Sequence, residues 1–267
     1  MLPTPSTSHV DLNRVYEPAE DSFLFLDTLS SASEIHFLKQ RFTSKLSELQ
    51  SPSPLILEVG TGSGVVLAFI TAHAQAIFGR SDVLSLGIDI NRVACEATKH
   101  TVNQACQEAP NTAGGFERAS GSAILLASLN ADLATSLRPG TVDVLICNPP
   151  YVPTAELPMP PTPGTGGKGQ HKDVGSIGFD NNSHLHSISY AGGIDGMEMT
   201  DKLLAQLPSL LSPGRGMAYI LLCKQNRPER VIQRIRKWGA NWIAEVVSHS
   251  GRTGGWEKLQ IIRVCRS

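Results

Sequence analysis

The stretch LILEVGTGSG, residues 55–64, joins an apolar strand-like run to a turn with three glycines. Gly60, Gly62 and Gly64 occupy alternate positions, and glycine lets the backbone and a ligand come close. A dinucleotide-binding turn has the spacing GxGxxG, whereas this chain has GxGxG with Glu58 before it. A carboxylate at this place repels phosphate and attracts an ammonium group. The stretch therefore predicts an α/β fold whose ligand is not bound through a pyrophosphate.

Strand-like and helix-like segments alternate on both sides of this turn. Short apolar runs are separated by segments with helical periodicity. This alternation predicts an α/β fold with a mostly parallel seven-stranded sheet, helices on both faces and a C-terminal antiparallel hairpin. Strands are predicted near 55–59, 84–89, 123–129, 142–148 and 217–223, helices near 64–78, 91–107, 201–211 and 228–239, and the hairpin near 242–249 and 258–264.

We expect one domain over residues 1–267, with two regions that depart from the alternation. Residues 15–50 are predicted to form a helical cap over the ligand site, since Pro18 and the acidic residues after it suit a first helical turn. Residues 152–187 are rich in proline, glycine and polar side chains without periodicity. This composition predicts a flexible insertion loop.

The charge and cysteine patterns exclude several classes of protein. The net charge of -1, from 23 basic and 24 acidic residues, gives no overall field toward nucleic acid or an anionic membrane. Five cysteines lack a CxxC pair, and His184 and His186 lack a pattern of further ligands, so we predict no metal site. The longest apolar stretch is too short to span a bilayer. We therefore expect a cytoplasmic protein, with the nucleus as an alternative.

Acidic residues follow the predicted second and third strands. Asp89, in GIDI, lies where a carboxylate can accept hydrogen bonds from both hydroxyls of a ribose. Asp132, in NADL, lies where its side chain or the neighbouring amides can meet an adenine amino group. A single Asp after a strand is more often a helix cap, so the order and spacing of the set carry the prediction. Together with Glu58, these residues predict a nucleoside ligand that bears an amine.

The sequence NPPY, residues 148–151, follows the predicted fourth strand, at the carboxyl end where open α/β sheets bind ligands. An amide or aromatic amino nitrogen is a poor nucleophile because its lone pair is delocalised. The Asn148 side-chain oxygen and the Pro149 carbonyl can accept both N–H bonds of such a group, while Pro149 and Pro150 hold the acceptors rigid and Tyr151 offers a stacking face. The alternative is a proline-stiffened turn with Tyr151 in the core.

These motifs, in order, resemble the eukaryotic branch of the HemK-like class I methyltransferases. The resemblance rests on YEPAEDS, EVGTGSG, GIDI, ADL, NPPYV and AGGIDGMEMTD, and it covers most of residues 15–267. It implies a Rossmann-like fold and methylation, by S-adenosylmethionine, of the glutamine amide in the GGQ motif of a class 1 translation release factor. YEPAEDS is the more specific mark, since adenine-N6 methyltransferases share NPPY.

The resemblance also implies roles for single residues. Asn148, Pro149, Pro150 and Tyr151 are expected to be catalytic, and Asn148 and Tyr151 are expected to contact the substrate. Gly62 is expected at the cofactor because of the glycine turn, and the other cofactor contacts are carried over from the family. The expected cofactor-binding residues are Ser22, Glu58, Gly60, Gly62, Asp89, Asp132, Leu133 and Asn148.

The strand AILLASL, residues 123–129, predicts a partner. In a sheet of order 3-2-1-4-5 this third strand lies at an edge, and it has no charge or proline to prevent pairing with another chain. The resemblance implies a small zinc-binding activator subunit that forms a heterodimer through this strand. The alternative is that the segment before the strand, including Phe116, folds over the edge.

Other functions remain open from the sequence. An adenine-N6 methyltransferase for nucleic acid would use the same NPPY geometry, but it would need a target-recognition domain or a basic surface. A lysine methyltransferase and a catalytically silent methyltransferase-fold subunit are further alternatives. An NAD-linked oxidoreductase ranks last because of the GxGxG spacing. Asp195 and Glu198 are predicted to form a capping box for the helix that follows them.

Overall fold

A computed structural model describes residues 2–43, 51–109, 123–156, 189–251 and 258–267. Within these residues, apolar runs form strands and amphipathic segments form helices. The strands are β1 (Leu55–Val59), β2 (Leu84–Asp89), β3 (Ile124–Asn130), β4 (Val144–Cys147), β5 (Met217–Cys223), β6 (Trp242–His249) and β7 (Leu259–Arg266). The helices are α1 (Glu20–Ser30), α2 (Ala32–Thr43), α3 (Val65–Ala72), α4 (Ala74–Phe78), α5 (Arg92–Glu108), α6 (Glu198–Leu210) and α7 (Pro228–Arg236).

The strands form one sheet in the order β3-β2-β1-β4-β5-β7-β6. β1 to β5 run parallel to one another, and β7 pairs antiparallel with both β5 and β6. The predicted class I methyltransferase fold, with its strand order and its C-terminal hairpin, is confirmed. Because β1 and β4 are neighbours while the chain leaves them in opposite directions, their carboxyl ends open a crevice between them.

Helices cover the sheet on both faces. One core cluster contains buried side chains of α1 to α5, and the other contains those of α6 and α7. Every residue of β4 and β5 is buried, as expected for central strands that have helices on both faces. The crevice therefore lies at the end of strands that are buried on both faces.

Two helix boundaries differ from the sequence prediction, and a third prediction lies partly outside the described residues. The predicted helix 64–78 is two helices that meet at His73, which leaves helical geometry at φ -104° and ψ 21°. Pro18 precedes α1 and does not belong to its first turn. In the region 15–50, α2 ends at Thr43, and the prediction for residues 44–50 lies outside the described residues.

Helix α2 packs on the hairpin side of the sheet, away from the crevice. Its Glu34 is buried and accepts hydrogen bonds from Tyr219 Oη at 2.7 Å and from Arg263 Nη1 at 2.6 and 2.7 Å. Arg263 also contacts Glu245 and lies over the ring of Phe37. A buried ion pair with these additional partners ties α2 to β5 and β7, so only the first part of the predicted cap is free to border the ligand site.

The two edges of the sheet differ. At β3, Ile124 and Leu126 are 52% and 53% exposed, and Leu126 lies at a shift in the register with β2. At β6, the exposed Glu245 places a charge on the edge, and Arg236 Nη2 donates to the Ala244 carbonyl at 2.9 Å. Charged side chains discourage strand addition, and β3 has none, although β6 also exposes Ile243 and Val246 at 40% and 42%. The predicted cover by the segment around Phe116 lies outside the described residues.

A short ladder closes the base of the predicted insertion loop. Val152 and Ala191 form an isolated bridge, with Val152 N–H donating to Tyr190 O at 3.0 Å and Gly192 N–H to Val152 O at 2.8 Å. The prediction for the rest of the loop falls on residues 157–188, outside the described part of the chain. None of the helices in the described ranges is both long and apolar enough to span a membrane.

Candidate active site

A cavity of ≈ 320 Å³ lies in the crevice at the carboxyl ends of β1, β2 and β4. Residues far apart in the sequence meet here, because parallel strands end at the same edge of the sheet. All eleven predicted site residues border this cavity, and their contacts with a ligand stay predictions. They are Ser22, Glu58, Gly60, Gly62, Asp89, Asp132, Leu133, Asn148, Pro149, Pro150 and Tyr151.

The glycine turn has two functions. Gly60 and Gly62 have φ values of 74° and 51°, and a Cβ on either would meet nothing closer than 3.8 Å, so their open side faces the cavity. Gly64 differs, because a Cβ there would lie 2.6 Å from the Thr98 Cα. The first two glycines therefore leave room for a ligand, and the third allows α3 to pack closely on α5.

Glu58 is buried at the end of β1 and caps a helix. Its Oε2 accepts from the Leu67 N–H at 3.0 Å, one of the N–H groups in the first turn of α3 that have no partner within the helix. Burial raises the pKa of Glu58 well above its ordinary value, with the charge of Asp89 adding to the rise and the Leu67 N–H opposing it. The carboxyl thus supports the start of α3 and borders the cavity.

Asp89 ends β2 and holds the glycine turn from the opposite side. Its Oδ2 accepts from the Gly62 N–H at 2.9 Å and its Oδ1 from the Asn91 N–H at 2.8 Å. Burial raises the pKa of Asp89, and these backbone bonds oppose the rise. The Ile90 N–H and the Thr61 hydroxyl also stabilise its charged form, and the carboxylate borders the cavity beside Gly62.

The loop after β3 brings a strained residue to the cavity. Leu133 is buried and has a φ of 51°, in the left-handed region that a branched side chain rarely adopts. Such strain persists where the surroundings impose it, and it is concentrated at ligand sites. Asp132 is exposed at the rim. Its backbone carbonyl accepts from Thr135 Oγ1 at 2.8 Å, which fixes the turn.

Asn148 follows β4 and presents an unpaired acceptor. Its Nδ2 donates to Asp21 Oδ2 at 2.8 Å, while its Oδ1 is buried without any hydrogen-bond partner. An unpaired buried acceptor costs about 1–3 kcal/mol, so it needs an explanation. The cavity that Asn148 borders gives one, since a ligand N–H group can complete the bond.

Asn226, which the sequence interpretation did not include, fixes the peptide after the prolines. Its Nδ2 donates to the carbonyls of Tyr151, Asp195 and Gly196 at 3.1, 3.0 and 3.3 Å, and its Oδ1 accepts from the Cys223 N–H at 2.8 Å. A Cβ on Gly196 would lie 2.0 Å from the Tyr151 carbonyl oxygen. The turn 192–196 therefore packs directly against the NPPY segment.

The capping box predicted for Asp195 and Glu198 does not form. Asp195 has a φ of 55°, and its Oδ2 lies 3.9 Å from Arg227 Nη1. Glu198 Oε1 instead accepts a hydrogen bond from the Ile194 N–H at 3.0 Å. Helix α6 begins at Glu198 itself, because Asp195 belongs to the preceding tight turn 194–196 and Met197 is the N-cap. Glu198 therefore stabilises that turn and not the predicted N-cap.

Asp21 and Tyr190 also border the cavity, and the sequence interpretation assigned neither of them to the site. Asp21 directly precedes Ser22 in YEPAEDS and is one of the acidic residues expected in the first helical turn. Tyr190 is 48% exposed, and its carbonyl accepts from Val152 at the base of the insertion. The motif YEPAEDS was a usable signal for Asp21, while Tyr190 follows a segment without periodicity and had none.

The arrangement suits a nucleoside ligand and a planar amide or amino group side by side. Acceptors for hydroxyls lie at β2, open glycines lie at β1, and an unpaired acceptor next to Tyr151 lies at β4. Among the residues that the structure describes, no group of three or more His, Cys, Asp or Glu side chains could hold a metal ion. His184 and His186 lie outside those residues.

No model of a known protein family matches the chain. Methyltransferase HEMK2 of Mus musculus is 32% identical to it over 272 residues, which cover 100% of this chain and 98% of that protein. Methyltransferase HEMK2 of Homo sapiens is 30% identical over 99% of this chain and 97% of that protein. The eRF1 methyltransferase catalytic subunit mtq2 of Schizosaccharomyces pombe is 30% identical over 100% of this chain and 96% of that protein.

Proposed function

The chain belongs to the eukaryotic branch of the HemK-like methyltransferases, and from that premise we propose that it methylates the glutamine side-chain amide in the GGQ motif of a class 1 translation release factor. The proposal takes its substrate from a relative that is named for acting on eRF1. Relatives in bacteria with 26% and 29% identity are named release factor glutamine methyltransferases.

S-adenosylmethionine is the proposed cofactor, and it supplies the methyl group when bound. The fit rests on the open side of Gly60 and Gly62 and on the Asp89 carboxylate, which borders the same cavity. Asp89 would hold the ribose hydroxyls, and Asp132 and Leu133 would border the base. Ser22 and Glu58 would line the remainder of the cofactor site.

The unpaired Asn148 Oδ1 is the observation that carries the proposal. This acceptor and the Pro149 carbonyl would each receive one N–H of the substrate amide. Both bonds oppose delocalisation of the nitrogen lone pair and aim it at the methyl donor. Tyr151 would stack on the flat amide. As the nitrogen gains positive charge in the transition state, the same two acceptors would stabilise it, and the surplus proton on nitrogen would then be lost to solvent.

The edge strand β3 supports a second part of the proposal, a heterodimer with a small zinc-binding activator subunit. Ile124 and Leu126 are large apolar side chains with half of their surface exposed, beside backbone groups that β2 does not pair. A partner that added a strand here would cover both. The other edge, β6, carries Glu245 and is partly occupied by Arg236.

An adenine-N6 methyltransferase is the second candidate, because Asn148, Pro149 and Tyr151 would serve an exocyclic amino group in the same way. It is less favoured, since the chain has a net charge of -1 and nucleic-acid binding depends on neutralising phosphates. A lysine side chain fits less well, because its ammonium must lose a proton before it can react and Asn148 Oδ1 is not a base.

One experiment tests the proposal. The chain, copurified with any partner, is incubated with labelled S-adenosylmethionine and separately with a release factor, its GGQ→GGA variant, histones and duplex DNA. We expect label in the release factor alone and none in the GGA variant. If DNA were labelled at a rate comparable to that of the release factor, or if the GGA variant were labelled, the proposed substrate would be wrong.

A further inference from the structure

We propose that Asp21 is a positioning residue for this reaction, because its carboxylate fixes which end of the Asn148 amide faces the cavity. The inference rests on the proposed function, since it concerns the acceptor that the substrate amide would meet. Its structural part, the orientation of one side-chain amide, can be tested without any substrate.

The Asp21 carboxylate lies among donors. It is 2% exposed, and its Oδ1 accepts from the Ser22 N–H at 2.6 Å. Its Oδ2 accepts from Asn148 Nδ2 at 2.8 Å and from Tyr16 Oη at 3.1 Å. An ionised carboxylate only accepts hydrogen bonds, so whichever end of the Asn148 amide faces it must be the NH2 end.

The opposite end of the amide then faces the cavity. With Nδ2 held by Asp21, Asn148 Oδ1 is left as the buried acceptor without a partner. A rotation of the amide by 180° would press two oxygen atoms together at Asp21 and present a donor to the substrate. A donor cannot receive an N–H of the substrate, so the orientation decides whether the site can work.

The substitution Asp21→Asn should reverse the amide without changing its size. The Ser22 N–H is a fixed backbone donor, so the oxygen of the new side chain must stay beside it. Its nitrogen then replaces Oδ2 and donates toward Asn148, which must turn its own oxygen inward to accept. Tyr16 Oη can accept the second proton of the new amide. The cavity would now meet an NH2 group.

Initial rates of release-factor methylation should therefore fall further in Asp21→Asn than in Asp21→Ala. We expect Asp21→Asn to lower kcat by roughly 100-fold, the lower end of the effect of one lost catalytic hydrogen bond, and Asp21→Ala to lower it less, because Ala leaves the Asn148 amide free to turn. A merely structural role predicts the reverse order, since Ala removes more contacts. Glu20→Gln, one residue earlier and exposed, is the matched control and should leave kcat unchanged.

A double-mutant cycle tests whether Asp21 acts through Asn148. Asp21→Asn should have less than a twofold effect when Asn148 is already Ala, and calorimetry should give similar affinities for S-adenosylmethionine in all four proteins. An equal loss in both backgrounds, or a lower kcat for Asp21→Ala than for Asp21→Asn, overturns the inference.

The NMR signals of the Asn148 side-chain NH2 group test the orientation of this amide directly. They therefore show whether the inference about Asp21 fails independently of the proposed function. In the wild type these protons should show the downfield shift of a bond to a carboxylate, and Asp21→Asn should abolish it, whether or not the GGQ glutamine is methylated. Unchanged Asn148 signals in Asp21→Asn would contradict the inference even if the enzyme is active. Absent methylation by the wild type would instead contradict the proposed function.

Discussion

The carboxyl end of β4 and the edge strand β3 both leave something uncovered, but of opposite chemical kinds. At β4, Asn148 Oδ1 is a single buried acceptor without a partner. At β3, Ile124 and Leu126 are broad apolar side chains with about half their surface in solvent. A small planar donor can complete the first region, while only an extended protein surface can complete the second. Catalysis and association should therefore be separable by mutation.

The largest expected effect lies at β4. Asn148→Ala removes the acceptor that stabilises the charge developing on the substrate nitrogen, so we expect kcat to fall by roughly a hundredfold or more. Initial rates with a labelled cofactor and release factor measure this. Binding of S-adenosylmethionine and association at β3 should change little. A normal rate in this variant would mean that NPPY is only a rigid turn.

A smaller effect on a different quantity is expected at Asp89. Asp89→Ala removes the acceptors for two ribose hydroxyls, and each hydrogen bond to a charged group contributes about 1.5–3 kcal/mol. The Kd for S-adenosylmethionine, measured by calorimetry, should therefore rise at least tenfold. Asp132→Ala at the exposed rim is the comparison, with a smaller rise. An unchanged Kd for Asp89→Ala would contradict the placement of the nucleoside.

The apolar region is tested by two neighbouring residues of β3. Leu125 packs against the core, whereas Leu126 is 53% exposed. Leu126→Lys should weaken association with the activator subunit about tenfold and leave the melting temperature of the isolated chain almost unchanged. Leu125→Lys should instead lower that melting temperature, because it buries a charge. Copurification and thermal unfolding distinguish the two.

If Leu126→Lys left association intact, strand addition at β3 would be wrong. A chain that is monodisperse, stable and fully active alone at micromolar concentration would also contradict the need for a partner.

The smallest effect is expected from the segment between the two strands of the short ladder. Replacing residues 157–187 by a short Gly/Ser linker keeps the bridge between Val152 and Ala191. We expect the melting temperature to change by less than about 2 °C, because closing a longer loop costs only slowly growing entropy. A marked drop in melting temperature would contradict this. Normal melting with lost activity would assign the segment to substrate binding.

The strands were predictable because each is a short apolar run between breakers, whereas the order 3-2-1-4-5 was expected from the resemblance to class I methyltransferases. The helix ends were less predictable. No glycine or proline marks the break at His73, and the box of Asp195 and Glu198 matched a sequence pattern although a left-handed residue intervenes. Local patterns identify elements, but they do not show how two elements meet.

In the site, too, the sequence identified single residues but not the contacts between distant elements. Gly60, Asp89 and Asn148 were found because each lies at the carboxyl end of a predicted strand. The bond between Asp21 and Asn148 joins residues 127 positions apart, and that between Asn226 and Tyr151 joins residues 75 apart. Nothing near Asp21 in the sequence indicates an amide partner, so its role became visible only with the folded chain.

Asn226 holds three carbonyls of two loops with one NH2 group, and this has a consequence for how the site opens. Local opening that breaks one of these bonds removes the geometry on which the other two depend. Amide hydrogens of residues 152, 192 and 196 should therefore exchange with solvent at similar rates, as one cooperative unit, and Asn226→Ala should accelerate all of them together.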